Sequence, residues 1–276
     1  MNHGDLRQPK RPKRFGGIVT GGALVALLAI IGVFGMQASD APAADKDLPG
    51  EALTPEQEAE VLGLFKRYLS EHPEDIYKAL ESHAANQQNA REDKVQQTLA
   101  EGRLEIEQDE GSFVGGNVNG DISLVEFFDY RCSYCKKAHN VVRDLLEQDG
   151  NIRFVYKEFP ILGPDSVLAS QAALASRKQG KYLEFHNALM SAQGSLNLDR
   201  IFEIAEDAGV NVARLETDMK DPEINEIIGR NHALAQRLDI GGTPAFVVGD
   251  QLLAGMADIG RFKTLVKEAR TSCKSC

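Results

Sequence analysis

Apolar positions follow three different patterns along the chain. From Phe15 to Met36, 22 consecutive residues carry no charge, a run long enough to cross a bilayer as a helix. Between Val61 and Leu80 apolar residues recur at helical spacing instead: Val61, Leu62, Phe65, Tyr68 and Leu69, then Ile76, Tyr77, Ala79 and Leu80. From Ile122 to Asp129 (ISLVEFFD) they are nearly continuous over the length of one strand, as in a strand buried on both faces.

The second pattern predicts two helices. Thr54 as N-cap, Pro55 at the first helical position and Gln57 three residues after the cap make a capping-box start. His72-Pro73 interrupts the helix, because the residue before proline avoids the α region, and Pro73 can open the next one. From His83 to Asp109 only Val95, Leu99, Leu104 and Ile106 remain to be buried. A segment of about 55 residues with two short apolar stripes cannot bury a core of its own. It has to pack on the following domain or on copies of itself.

Charge separates the two ends of the chain. The net charge is -10, which excludes a nucleic-acid partner that would need a basic face. Five basic residues against Asp5 give the first fourteen positions +4, so the remainder carries -14. A basic arm before an apolar run stays in the cytoplasm, and the chain beyond the run is exported. Two readings of residues 15–36 stay open: an uncleaved transmembrane anchor, or a signal peptide with a small-residue exit at Ala41-Pro42-Ala43. Residues 37–53, rich in Ala, Asp, Pro and Gly, read as a tether.

The four cysteines form two Cys-x-x-Cys pairs. The first, Cys132-Ser-Tyr-Cys135, joins the continuous apolar strand to a helix marked by Ala138, Val141, Val142, Leu145 and Leu146, which Asp149-Gly150 stops. At a helix N-terminus, unpaired N–H groups and the dipole favour a thiolate on Cys132. Cys135, one turn further in, can resolve a mixed disulfide. A zinc knuckle would ask for a second ligand pair nearby, yet 137 residues separate this pair from the next. Further on, Gly241-Gly242-Thr243-Pro244 leads into the strand-like Ala245 to Val248; a proline opening a strand marks a special turn. Glu126 lies mid-strand, where an acid is costly to bury unless it is used. His186 and His232 read as packing residues on apolar helical faces.

The motifs FFDYRCSYCKKAH and GGTPAFVVGD resemble the DsbA-type branch of the thioredoxin superfamily. The resemblance implies an α/β thioredoxin fold over residues 110–270, with a helical insertion at about 163–238. It implies that Pro244 is a cis-proline and that Thr243 and Pro244 bind an extended substrate beside Cys132. It also implies that Glu126 and Lys157 occupy the family's acid and lysine positions, either as a proton relay to Cys135 or as a structural ion pair. Tyr134 and Thr243 are closer to what disulfide isomerases carry, so Tyr134 joins the candidate substrate-binding residues and shuffling is favoured over oxidation. The segment FKRYLSEHPEDIYKALE is similar to the copper-sensitivity suppressor protein C group, which implies a helical oligomerisation stalk over 54–109 and a trimer.

The implied partners are cysteine-containing exported proteins and a membrane redox partner on the periplasmic side of a bacterial inner membrane. No cofactor is implied. Cys273 and Cys276, in the tail 271–276, fall outside the family pattern and stand as an auxiliary redox pair, soft-metal ligands or a tail that oxidises on export. The resemblance implies an exported thiol:disulfide oxidoreductase working through Cys132 and Cys135; besides that enzyme, two classes remain: a copper- or other soft-metal-binding protein, and a tethered structural partner.

Overall fold

A computed structural model describes residues 53–273. The expected arm and anchor or signal segment, most of the tether and Cys276 lie outside the described residues. Among those described, no helix is long and apolar enough to cross a membrane.

Contacts divide the chain into two units, Met1–Gly63 and Leu64–Cys276. In the first, the described residues begin helix α1 (Pro55–Glu71). The capping box is formed there: the Thr54 amide donates to Gln57 Oε1 at 2.9 Å and the Gln57 amide to Thr54 Oγ1 at 3.3 Å.

The second unit continues α1 and then runs through α2 (Pro73–Glu101), α3 (Arg103–Glu107), β1 (Phe113–Gly116), β2 (Ile122–Phe128), α4 (Ser133–Asp149) and β3 (Ile152–Glu158). Five helices come next: α5 (Pro164–Ser176), α6 (Tyr182–Ser191), α7 (Leu198–Asp207), α8 (Val212–Asp218) and α9 (Pro222–Arg237). The hairpin of β4 (Ala245–Val248) and β5 (Gln251–Ala254) leads to α10 (Ile259–Ser272). The sheet order is β1-β3-β2-β4-β5. β2 pairs parallel with β3 and antiparallel with β4, so the continuous apolar run is central and all seven residues of β2 are buried. β1 and β5 have no counterpart in the apolar pattern. Each is four residues long and only partly covered, too short for alternation to register.

Alternation along the strands separates two cores. Leu124, Phe128, Phe154 and Tyr156 face one side with Cys135, α4, α10 and the helices from α5 onward. Val125, Phe127, Val155 and Val247 face the other, with Leu234 and Leu238 from the end of α9 and with Leu99 and Ile106. The last turns of α2 and the short α3 are thus part of the sheet domain, although the polar texture before Asp109 groups them with the stalk. Earlier in this unit, Leu64, Phe65, Tyr68, Ile76, Tyr77 and Leu80 are exposed.

Candidate active site

β2 delivers the chain to the C-terminal end of the sheet, where Asp129 turns it. The Asp129 carboxylate is fully buried. Its Oδ1 accepts from the Arg131 amide at 2.7 Å and from Ser166 Oγ at 2.8 Å, and its Oδ2 from the Ile161 and Leu162 amides at 2.8 and 2.9 Å. One side chain therefore ties the turn before the cysteines to the loop after β3. The Cys132 amide closes the turn by donating to the Asp129 carbonyl at 3.0 Å.

Cys132 is the N-cap of α4, in extended backbone (φ -75°, ψ 115°), and its sulfur accepts from the Cys135 amide at 3.3 Å. Both thiols are free and buried. The Cys132 thiol is lowered to about 5, mainly by a hydrogen bond from the Cys135 side chain, against the opposing cost of burial; contacts with Thr243 and with the Cys135 and Tyr134 amides add to the lowering. Cys135 moves the other way. Burial, its hydrogen bond to Cys132 and the neighbouring Glu126 all push its thiol far up.

The Thr243–Pro244 peptide is cis. The Thr243 carbonyl lies 3.2 Å from Cys132 Sγ, within reach of the protonated thiol as donor. Tyr134, 59% exposed, stands over the start of α4 with Lys137 Nζ 5.3 Å from its ring centre.

Glu126 and Lys157 do not pair. In register Glu126 opposes Tyr156, and Lys157 opposes Phe127; successive side chains alternate between faces, so acid and base lie on opposite sides of the sheet. Lys157 Nζ instead donates to Asp109 Oδ2 at 3.2 Å and to the Glu105 carbonyl at 2.9 Å, fastening α3 and the segment after it to the sheet. Glu126, 3% exposed, is on the side of the cysteines, and its Oε1 has no hydrogen-bond partner among the described residues. Burial first, and the nearby Cys132 second, hold its carboxyl well above the ordinary range.

A second buried acid escaped the sequence reading. Glu158 Oε1 accepts from the Tyr130 and Tyr182 hydroxyls at 2.9 and 2.7 Å, and burial pushes its carboxyl up to about 8. His186 belongs to this cluster, with Nδ1 3.0 Å from the Tyr130 hydroxyl. The signal was the Lys-Glu pair that follows the apolar Phe154, Val155 and Tyr156 at the end of β3. His232 lies against Phe159, ring centres 4.7 Å apart. Cys273 is disulfide-bonded, and Arg103 Nη2 approaches its sulfur at 3.6 Å. No cluster of three or more metal-binding side chains occurs among the described residues.

A model of the DSBA-like thioredoxin domain matches residues 123–267. Among solved structures, a thioredoxin-like oxidoreductase from Silicibacter pomeroyi is 43% identical, with 62% of this chain and 98% of that chain covered at a TM-score of 0.61. The thiol-disulfide exchange protein alpha-DsbA2 from Wolbachia pipientis is 30% identical, with 65% and 97% covered at 0.61. ScsC from Proteus mirabilis, in a transitional conformation, is 29% identical, with 79% and 97% covered at 0.59. The curated relatives include a Na(+)/H(+) antiporter, NhaA 1, from Salinispora arenicola, 29% identical over 158 residues. That match covers 56% of this chain and 24% of the antiporter, and the chain spans about a quarter of the length of the curated relatives it matches.

Proposed function

The chain belongs to the DSBA-like thioredoxin domain family, and from that premise we propose that it is an exported thiol:disulfide oxidoreductase acting on cysteine-containing proteins, with isomerisation favoured over net oxidation. The observation that carries this reading is the Cys132 sulfur, acidified to about 5 at the start of α4 and set against the cis Thr243–Pro244 peptide. At neutral pH such a sulfur is a thiolate, the form that attacks a disulfide. It displaces one substrate sulfur as a thiolate and forms a mixed disulfide with the other. The backbone at Thr243 then pairs with the extended substrate.

Resolution requires Cys135 to lose its proton, which its raised affinity for that proton opposes. Glu126, once it has given up its own proton, can act as the base that takes it. A slow resolving thiol leaves the mixed disulfide time to be attacked by another substrate cysteine, and that is isomerisation. Tyr134, exposed beside Cys132, contributes an aromatic contact to the bound chain. Lys157 serves the fold, through its ion pair with Asp109.

The similarity to ScsC spans more of this chain than the similarity to the Silicibacter oxidoreductase, which supports reading α1 and most of α2 as an oligomerisation stalk. Its exposed Phe65, Tyr68, Tyr77 and Leu80 offer a face for further copies, a trimer in the proposed assembly. Residues 15–36 then hold the protein at the periplasmic side of the membrane, near a membrane redox partner, or are removed to release it. No observation favours the soft-metal reading. Reactivation of scrambled ribonuclease tests the proposal: Cys132→Ser should abolish it and Cys135→Ser should retain part of it. Activity that survives Cys132→Ser, or an enzyme that oxidises reduced ribonuclease but leaves scrambled ribonuclease inactive, overturns it.

A further inference from the structure

Glu126 borders more than the cysteine pair. A cavity of about 250 Å³ opens between the sheet, α4 and α6, lined by Glu126, His139, Val142, Phe154, Tyr156 and Asn187, among others. The unpartnered Oε1 belongs to the same buried carboxyl. His139 sits one helical turn beyond Cys135 on α4, where residues four apart share a face, and its half-buried ring is 5.3 Å from that of His186. The walls are apolar apart from a few groups: Tyr156 from β3, His139, Arg143 and Glu147 from α4, and Asn187 from α6.

The reaction needs a second opening. When an incoming substrate thiolate attacks Cys132 Sγ of the oxidised enzyme, the Cys132–Cys135 bond breaks and a Cys132–substrate disulfide forms. The substrate sulfur is oxidised and Cys135 leaves as a thiolate. That thiolate takes the proton of the neutral Glu126 carboxyl, and the buried carboxylate so formed has to be reprotonated. The bound polypeptide then covers the front of the site, over Cys132 and Thr243. Lys157 is committed to Asp109 on the other side of the sheet, so it cannot supply the proton.

We infer that the cavity behind Glu126 is a rear proton route, through which Glu126 exchanges protons with solvent while substrate covers Cys132, and that His139 is the positioning residue that passes them. This rests on Glu126 being the proton partner of Cys135. Burial and Arg143 keep the His139 ring below its ordinary value, so near neutral pH the imidazole offers one nitrogen to donate and one to accept. The route runs in reverse when Cys135 has to be deprotonated for resolution.

The test monitors the Cys135-dependent step in the full chain, by single-turnover reaction with a fluorescent single-cysteine peptide across pH 5 to 9, with imidazole as the probe. His139→Ala should slow the step roughly tenfold, below the contribution of a directly acting acid or base, and imidazole at millimolar concentration should restore it. His139→Phe, which keeps a ring of similar size in the cavity wall but carries no proton, should be slow and refuse rescue. His139→Gln, similar in size but unable to titrate, should be slow with a flattened pH profile. Wild-type rates and profiles in all three, with Glu126→Gln slow, would overturn the rear route and leave the role of Glu126 standing. Slow variants that imidazole never rescues, with the wild-type profile kept in His139→Gln, would trace the loss to packing and also overturn it. A wild-type rate in Glu126→Gln would remove the underlying reading itself.

Discussion

The two faces of the sheet treat a buried charge in opposite ways. On one face Lys157, 1% exposed, is satisfied by the Asp109 carboxylate and the Glu105 carbonyl. On the other, Glu126 is equally deep, yet one carboxyl oxygen has no partner among the described residues, and the groups it acts on are thiols and a tyrosine. A buried pair holds structure together. A buried acid left unpaired beside two cysteines costs stability, and perturbed groups of that kind cluster where chemistry is done. The face that carries Lys157 is thus the fastening for α2 and α3, while the face that carries Glu126 is the one on which Cys132 and Cys135 are buried.

This contrast can be broken from either side. The largest stability effect should come from Asp109→Asn, which strands the Lys157 ammonium. Breaking a buried pair from one side costs about 3–5 kcal/mol, so the denaturation midpoint should fall steeply while exchange activity per folded molecule stays the same. An unchanged midpoint would show that Lys157 does not fasten α3. Glu126→Gln should do the reverse, with the midpoint kept or raised and the Cys135-dependent step slowed roughly 100-fold, the low end for a general acid or base.

Because the Glu126 carboxyl is held above its ordinary 4.5, its stabilising neutral form is fully present below 4.5 and is lost as pH rises through the folded value. Relative to wild type, Glu126→Gln should therefore gain stability as pH rises from about 5 to 8, read from denaturant midpoints. A difference that stays flat with pH would mean that Glu126 is not held neutral. Cys132 acts in the opposite sense in the reduced protein. Its thiol lies below the ordinary 9.0, so its contribution is fully present above 9.0 and is lost as pH falls toward about 5. The smallest effect should be that of Tyr134→Ala, a few-fold rise in KM for a peptide substrate with the Cys132 acidity kept, since one exposed aromatic contact contributes roughly 1 kcal/mol.

How much the sequence disclosed depends on how local each feature is. The Cys-x-x-Cys pair between an apolar strand and an amphipathic helix is written in adjacent residues, and so is the proline that opens β4. The Glu126–Lys157 pairing depended on register. Two positions that look equivalent along neighbouring strands fall on opposite faces once Glu126 is set against Tyr156, and nothing in either strand alone fixes that offset. Asp129 and Glu158 were hidden for a similar reason. Their partners Ser166, Ile161, Leu162 and Tyr182 come from segments that only the folded chain brings together. The end of α2 was disguised by its polar neighbours, which reach solvent while Leu99 is buried and Val95 packs beside it.

A Cys132 thiolate at neutral pH, poised beside the cis-proline, shows itself in the acidity of that sulfur. The rate of alkylation of Cys132 in the reduced full chain, recorded from pH 3 to 10 with Cys135→Ala as a control for the hydrogen bond from its thiol, gives that value. The expected midpoint is about 5, moving upward in Cys135→Ala. A midpoint near the ordinary 9.0, unchanged in that variant, would contradict it.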